Sequence, residues 1–271
     1  MRIANNAAAL NTHRQYSINN NSVASSTEKL SSGYRINRAG DDAAGLAISE
    51  KMRAQIKGLN MASKNSQDAI SLVQTAEGAL TETHAILQRM RELSVQAASD
   101  TNDDGVDRAA LNTEFNQLID EIDNIASTTK FNGKELLDGT FSGAVIQTGA
   151  DNGETLTLSI GDMQASALTV DSLVITTQTD AAAAIDTVNT AINAVSTQRA
   201  TLGAYQNRLQ HKINNLDTSA ENLQAAESRI RDLDMAKEMT TYTKNSILVQ
   251  ASTAMLAQAN AAPQGVLQLL Q

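Results

Sequence analysis

Apolar residues recur at every seventh position through residues 181–234, and this period organises the second half of the chain. The recurring positions hold only Val, Leu or Ile: Val188, Val195, Leu202, Leu209, Leu216, Leu223 and Ile230. A second row at alternating spacings of three and four completes a heptad seam, which needs helical partners along its whole length. The pattern predicts one long helix over 181–234, with Asp180 as its N-cap.

Helical spacing also covers much of the first half of the chain. A stripe of apolar residues wide enough to touch two neighbours predicts a helix over 60–98. A polar turn follows, and then a third helix is predicted from about 108 to 128. Residues 3–32 carry a thinner stripe among Asn and Ser, which predicts an interrupted amphipathic helix of marginal stability. Residues 33–58 contain four glycines and are predicted as a connector with some helical character.

The period changes from helical to two between the third and fourth predicted helices. Leu156, Leu158 and Ile160 alternate with hydroxyl side chains, and an Asp-Asn-Gly turn precedes them. We predict a small antiparallel β region within 140–178. The predicted fold is therefore mainly α: an elongated antiparallel bundle of long, coiled-coil-like helices with a small β-hairpin region and a terminal two-helix hairpin.

The two ends of the chain look like contact surfaces. After Lys244 the remaining 27 residues carry no charge, which is unusual for a solvated tail, yet polar residues interrupt them too often for a membrane span. Neither terminal segment can bury its apolar face alone, so we expect the two to pair and to become ordered only in an assembly. The apolar contacts expected between subunits are Ile3, Leu10, Leu256, Val266, Leu267 and Leu270.

Composition favours bundled helices over a globular enzyme. The 271 residues include three Phe, four Tyr, no Trp and no Cys, so the core is aliphatic and thiol chemistry is excluded. Residues 61–180 hold six basic and nineteen acidic residues, which argues against nucleic-acid binding there. No cleavable signal peptide is visible, which by itself suggests a cytoplasmic protein.

Candidate chemistry is sparse. The sequence contains no nucleophile elbow, phosphate-binding glycine–lysine loop or HExxH zinc helix. His84, with Glu82 nearby, is interpreted as a surface histidine because other metal ligands are scarce around it. The acidic residues of one turn lack the glycine and the final glutamate of a calcium loop and are interpreted as a solvated turn: Asp100, Asp103, Asp104 and Asp107. We expect no catalytic residue, cofactor or metal.

Three segments carry a family likeness. Residues 30–48 read LSSGYRINRAGDDAAGLAI, residues 88–96 read QRMRELSVQ, and residues 256–270 read LAQANAAPQGVLQLL. Each resembles a conserved segment of bacterial flagellins, and they occur in the same order. The resemblance covers nearly all of 1–139 and 181–271, and it is closest to the short flagellins of Gram-positive bacilli.

The resemblance implies a subunit of the flagellar filament, secreted unfolded through the flagellar type III channel without cleavage. It implies an inner domain made of residues 1–42 and 235–271 and a helical-bundle domain over 43–234, with no variable outer domain. The implied partners are other copies of the chain, an export chaperone, the filament cap and the hook-junction proteins. Neither nucleic-acid binding nor membrane insertion is expected.

The resemblance also implies recognition by a host receptor. In many flagellins an Arg, a Leu and a Glu are bound by Toll-like receptor 5, and the matching positions here are Arg89, Leu93 and Glu114. Arg89 and Leu93 are four residues apart and share one helix face. The alternative interpretation is that Arg89 and Glu114 form a plain interhelical ion pair and that Leu93 serves packing between subunits.

Two other classes of function remain as alternatives. A coiled-coil adaptor or signalling bundle that does not polymerise would explain the heptads, but not the uncharged C-terminal segment or the β region. An enzyme attached to a filament would need an inserted catalytic domain, and residues 140–180 are too few for one.

Overall fold

The computed structural model describes residues 6–103 and 105–269, the last seven of them (263–269) only by their place in a helix. This part of the chain forms five helices and two small antiparallel strand pairs. The helices are α1 (Ala7–Ser32), α2 (Ala43–Ala97), α3 (Asp107–Thr128), α4 (Gln178–Arg231) and α5 (Met235–Leu269). The strands are β1 (Lys130–Phe131), β2 (Lys134–Glu135), β3 (Ala144–Gln147) and β4 (Thr155–Leu158). The mainly α fold predicted from the sequence is confirmed.

The chain divides into two compact units, each of which has its own internal contacts. The terminal unit combines the residues up to Ala54 with those from Asn222 onward. The central unit is Gln55–Glu221. Both boundaries fall inside long helices, α2 and α4.

The second helix starts at Ala43, so the prediction of a connector that reaches residue 58 is wrong. Asp42 begins the helix, because its Oδ1 accepts a hydrogen bond from the Gly45 amide at 2.8 Å. Gly45 does not break the helix but allows a close approach: a Cβ built on it would lie 2.9 Å from Ile36 Cδ1. Gly58 has the same role in the central unit, where a Cβ would lie 2.9 Å from that of Ala150. The connector is therefore limited to residues 33–42.

The start of the fourth helix also differs from the prediction. Thr177, not Asp180, is the N-cap of α4, because the Asp180 amide donates to Thr177 Oγ1 at 3.2 Å. In return the Thr177 hydroxyl donates to Asp180 Oδ2 at 2.7 Å. Asp180 therefore takes the third position of a reciprocal capping pair, where its charge also favours the helix N-terminus.

The central unit buries much of the predicted helical seams, mostly in one large core, with Leu209 in a smaller cluster that includes Ala69 and Leu156. The heptad residues of α4 from Val188 to Leu216 are buried, and α2 contributes Leu72, Val73, Leu80, Leu87 and Met90. From α3, Phe115 and Ile122 enter the same core. The segment after the hairpins covers it with Leu168, Val170 and Ile175, which lie in turns and irregular backbone rather than in strands.

The β region contains the predicted strand and one hairpin that was not predicted. β3 and β4 pair antiparallel with Ala144 opposite Leu158, and Leu156 and Leu158 are buried while the threonines of β4 are exposed. This confirms the period of two. β1 and β2 pair around Asn132 and Gly133, whose φ angles of 49° and 78° suit a tight two-residue turn.

Candidate assembly surface

Helices α1 and α5 pack against each other in the terminal unit, so the two chain ends pair as predicted. The less exposed residues of α1 recur at alternating spacings of three and four: Ala9, Thr12, Tyr16, Asn19, Val23, Ser26 and Leu30. Those of α5 follow the same rule: Glu238, Tyr242, Asn245, Val249, Ser252, Leu256 and Ala259. This is the seam of a two-stranded antiparallel coiled coil.

The seam between α1 and α5 is unusually polar. Asn6 Nδ2 donates to the carbonyl of Ala259 at 2.7 Å, and Asn19 Nδ2 donates to Ser252 Oγ at 3.3 Å. Of the seam residues in α1, only Ser26 is fully buried. Polar residues at seam positions fix the register of a helix pair at a cost in stability. The terminal pair is therefore specific in its register but weakly held.

Seven large apolar side chains of these two helices are exposed and make up what we call the outward surface, although others such as Leu30 and Leu256 lie in the seam. Leu10 is 68% exposed and Ile247 59% exposed, and the other five are Ile18, Met235, Met239, Leu248 and Met255. A helix pair that was complete in itself would place such residues inside. Exposed apolar surface is typical of contact sites on proteins, so these seven residues are candidates for contact with another molecule.

The predicted contact residues between subunits fall in different places. Leu10 is on the outward surface. Leu256 is half-buried in the seam between α1 and α5. Val266 and Leu267 belong to the end of α5, where the side chains lie outside the described part, and Ile3 and Leu270 lie outside the described residues altogether.

The connector over residues 33–42 is fastened to the end of α4 within the terminal unit. Gly33 ends α1 in the left-handed conformation, and its carbonyl accepts a hydrogen bond from the Leu233 amide at 3.0 Å. The Arg231 guanidinium lies 4.8 Å from the centre of the Tyr34 ring. The same guanidinium donates to Glu50 Oε1 at 2.6 Å, so α2 joins the junction.

Two carboxylates stabilise this junction in their ionised form. The hydrogen bond from Arg231 lowers the pKa of Glu50 below its usual value. Hydrogen bonds from the backbone amides of Arg38 and Asn37, both 3.0 Å from Asp41 Oδ2, lower the pKa of Asp41. Hydrogen bonds to a charged form favour that form, so acid weakens both interactions.

The three residues matched to receptor recognition lie on α2 and α3. Arg89 Nε donates to Glu114 Oε1 at 2.9 Å, and Arg89 Nη1 donates to Glu92 Oε2 at 3.1 Å. The hydrogen bond to Glu114 raises the pKa of Arg89 above its usual value. Both side chains of the Arg89–Glu114 pair are about half exposed, whereas Leu93 is fully buried in the core. The fold thus presents the ion pair at the surface and places Leu93 beneath it.

Arg108 is a structural residue whose role no sequence pattern predicts. It is 4% exposed, and it donates to the carbonyls of Ala97 and Ser99, at 2.7 Å in each case. Ala97 is the last residue of α2 and Ser99 follows it, so the cation closes the helix C-terminus. Its only signal in the sequence is a basic residue directly after an acidic turn.

The described residues include no helix with the length and apolarity that a bilayer crossing requires. Nor do these residues bring together three or more His, Cys, Asp or Glu side chains in a group that could hold a metal ion. The exposure of its apolar side chains makes the outward surface of α1 and α5 the candidate site of this chain.

Family models, curated proteins and solved structures that are similar to this chain include bacterial flagellins in each case. A family model for the bacterial flagellin N-terminal helical region matches residues 3–142, and one for the bacterial flagellin C-terminal helical region matches residues 185–270. The chain is 58% identical to a flagellin of Halalkalibacterium halodurans and 56% identical to a flagellin of Bacillus subtilis, over the full length of both chains in each case. The crystal structure of Bacillus cereus flagellin is similar with a TM-score of 0.52 and 39% identity, covering 60% of this chain and 94% of that one.

Proposed function

The chain belongs to the bacterial flagellin family, and on that premise we propose that α1 and α5 supply the contacts that build its filament. The protein is a structural subunit of the flagellar filament that polymerises with copies of itself, not an enzyme. Its homologues form the extracellular filament. This membership decides against the coiled-coil adaptor that does not polymerise.

The outward apolar surface of α1 and α5 is the observation that carries the proposal. Full burial of one such side chain stabilises an assembly by roughly 1.5–3 kcal/mol. Because these apolar side chains are not buried in the seam between α1 and α5, a second copy of the chain can bury them. When two different surfaces of identical subunits bind each other, each added subunit is rotated relative to the last. If these rotations do not bring the chain of subunits back to its start, a helical filament forms.

The same features support export in an unfolded state. The α1–α5 pair is weakly held by its polar seam, and the chain contains no cysteine and so no disulfide to undo. Long helices with mostly local contacts refold quickly once the chain emerges. On this proposal the chain travels through the flagellar type III channel, and an export chaperone covers the apolar surface of α5 beforehand. The filament cap and the hook-junction proteins would meet the same surface at the filament ends.

We further propose that the subunit is a ligand of Toll-like receptor 5. Support comes from the exposed Arg89–Glu114 pair, which offers a receptor one cation and one anion at fixed separation. Leu93 would contribute indirectly, because its buried side chain packs in the core and holds α2, and with it Arg89, in place. A receptor bound at this pair on the central unit would compete with any neighbouring subunit that packs there.

One pair of variants tests the assembly proposal. Ile247→Ser removes an exposed apolar side chain from α5, and Gln250→Ala changes an exposed polar one on the same helix. Polymerisation seeded with short filament fragments is followed by electron microscopy. We expect long filaments from Gln250→Ala and none or few from Ile247→Ser, with equal helical content by circular dichroism. Deleting residues 250–271 should also abolish filaments, and filaments from that truncation would refute the proposal.

A further inference from the structure

Six methionines of the described chain are either buried or well exposed, and Met52 lies between these two groups. Met90 and Met163 are buried in the central unit, with exposures of 0% and 8%. Met61, Met235, Met239 and Met255 have exposures between 47% and 58%. Three of these four lie on α5, on the outward surface that the proposed function assigns to contacts between subunits.

An exposed thioether is a target for two-electron oxidants such as hydrogen peroxide. The sulfur donates a lone pair to one peroxide oxygen, the O–O bond breaks, and the products are a sulfoxide and one water molecule. The sulfur is oxidised by two electrons and the peroxide is reduced by two. The reaction converts a flexible apolar side chain into a polar one with a strong acceptor oxygen.

We propose that Met235, Met239 and Met255 form an oxidation site that controls polymerisation of the free subunit. This inference rests on the proposed function and adds a chemical modification of the same surface. In the free subunit each sulfoxide remains in water, so α5 keeps its fold. In the filament the sulfoxide oxygen would be removed from water without a matching donor, which opposes assembly.

The two groups of methionines also imply an order of reaction. Met90 and Met163 should resist peroxide as long as the core is folded, because access controls the rate. Met235, Met239 and Met255 should react in the free subunit but be protected in the filament. Met61 lies on α2 in the central unit and should react in the free subunit without belonging to the site on α5.

The test uses the purified full-length subunit. The protein is treated with hydrogen peroxide, the excess is removed with catalase, and peptide mass spectrometry locates the sulfoxides. Circular dichroism reports the fold, and seeded polymerisation gives the critical concentration. We expect unchanged helical content and a critical concentration at least about tenfold higher, a factor that corresponds to about 1.4 kcal/mol. Methionine sulfoxide reductases A and B together should restore polymerisation.

Two variants separate this site from general oxidation damage. The triple variant Met235→Leu/Met239→Leu/Met255→Leu keeps apolar side chains of similar volume, and its critical concentration after peroxide is compared with its own untreated value, from which it should not rise. Met61→Leu, which retains the three methionines of α5, should remain as sensitive as the unmodified chain. Since the reductase arm acts on the unmodified chain, the test does not depend on the triple variant alone.

Three results would overturn the inference: normal polymerisation of the oxidised chain, a triple variant as sensitive as the original, or no recovery with the reductases. Failure of the untreated chain to polymerise would instead contradict the proposed function and remove this inference with it. The untreated arm therefore distinguishes the two failures.

Discussion

Arg231, the last residue of α4, donates a hydrogen bond to Glu50 of α2 over 2.6 Å while its guanidinium lies against Tyr34. The Arg231 side chain is only 13% exposed, so this pair is better shielded than the other ion pairs described in the chain. It joins the start of α2, the connector and the end of α4 within the terminal unit. Arg231 thereby holds the connector next to both α2 and the end of α4.

This pair predicts an acid-sensitive terminal unit. The folded pKa of Glu50 is lowered, so its stabilising effect is present above the unfolded value, about 4.3, and is lost as the pH falls through the folded pKa. We expect Glu50→Gln to lower the urea midpoint at neutral pH and to lose less stability than the original chain between about pH 5 and pH 3. Circular dichroism during urea titration measures both.

A matched control for the acid experiment is Glu82→Gln. Glu82 is exposed on α2 and has no ion pair among the described residues. This variant should follow the original chain at every pH. Equal pH dependence of Glu50→Gln and Glu82→Gln would contradict the role given to the Arg231–Glu50 pair.

Two glycines of α2 should respond to alanine in opposite directions. A Cβ on Gly58 would meet the Ala150 Cβ at 2.9 Å and its Cα at 3.3 Å, whereas a Cβ on Gly78 would meet nothing within 4 Å. We expect Gly58→Ala to destabilise the central unit by about 1–3 kcal/mol through overpacking. Gly78→Ala should stabilise it by about 0.5–1 kcal/mol, because alanine favours the helix. Urea unfolding measures both, and equal signs would contradict the described contact.

The receptor proposal makes a separate prediction about three residues. Glu114→Ala removes the partner of Arg89 and should reduce signalling through Toll-like receptor 5 while leaving the fold intact, since the pair is exposed. Leu93→Ala should instead destabilise the central unit by about 2–5 kcal/mol, because it leaves a cavity in the core. Cell-based receptor assays and urea unfolding report the two effects. The exposed Glu121→Ala is the control on α3, and undiminished signalling by Glu114→Ala would count against the proposal.

The buried helical seams could be predicted because one physical pattern determines them. Val188, Val195 and Leu202 recur at helical spacing and are all fully buried, so periodicity and burial agree. The start of α2 could not be predicted in this way, because Gly45 and Gly58 look like helix breakers in the sequence. Their reason is steric: Gly58 accommodates Ala150 from a distant part of the chain, and Gly45 accommodates Ile36 of the connector, and neither contact is recorded by a periodic pattern.

The terminal pair shows a different limit of sequence patterns. A heptad search assumes that apolar residues define the seam, but here Asn19 and Ser252 lie in it and Ile247 lies outside. The sequence indicated that the chain ends are contact surfaces without indicating which side of each helix meets its partner. The hairpin at Asn132 and Gly133 was missed because strands of two residues are too short to show a period.

The most direct test of the account is a helical reconstruction of the assembled filament by electron cryo-microscopy. Leu10, Ile247 and Met255 are each more than half exposed in the single subunit. We expect neighbouring subunits to cover all three in the filament, while Asn19 and Ser252 still face each other within one subunit. Filaments in which these three apolar side chains remain exposed to solvent would contradict it.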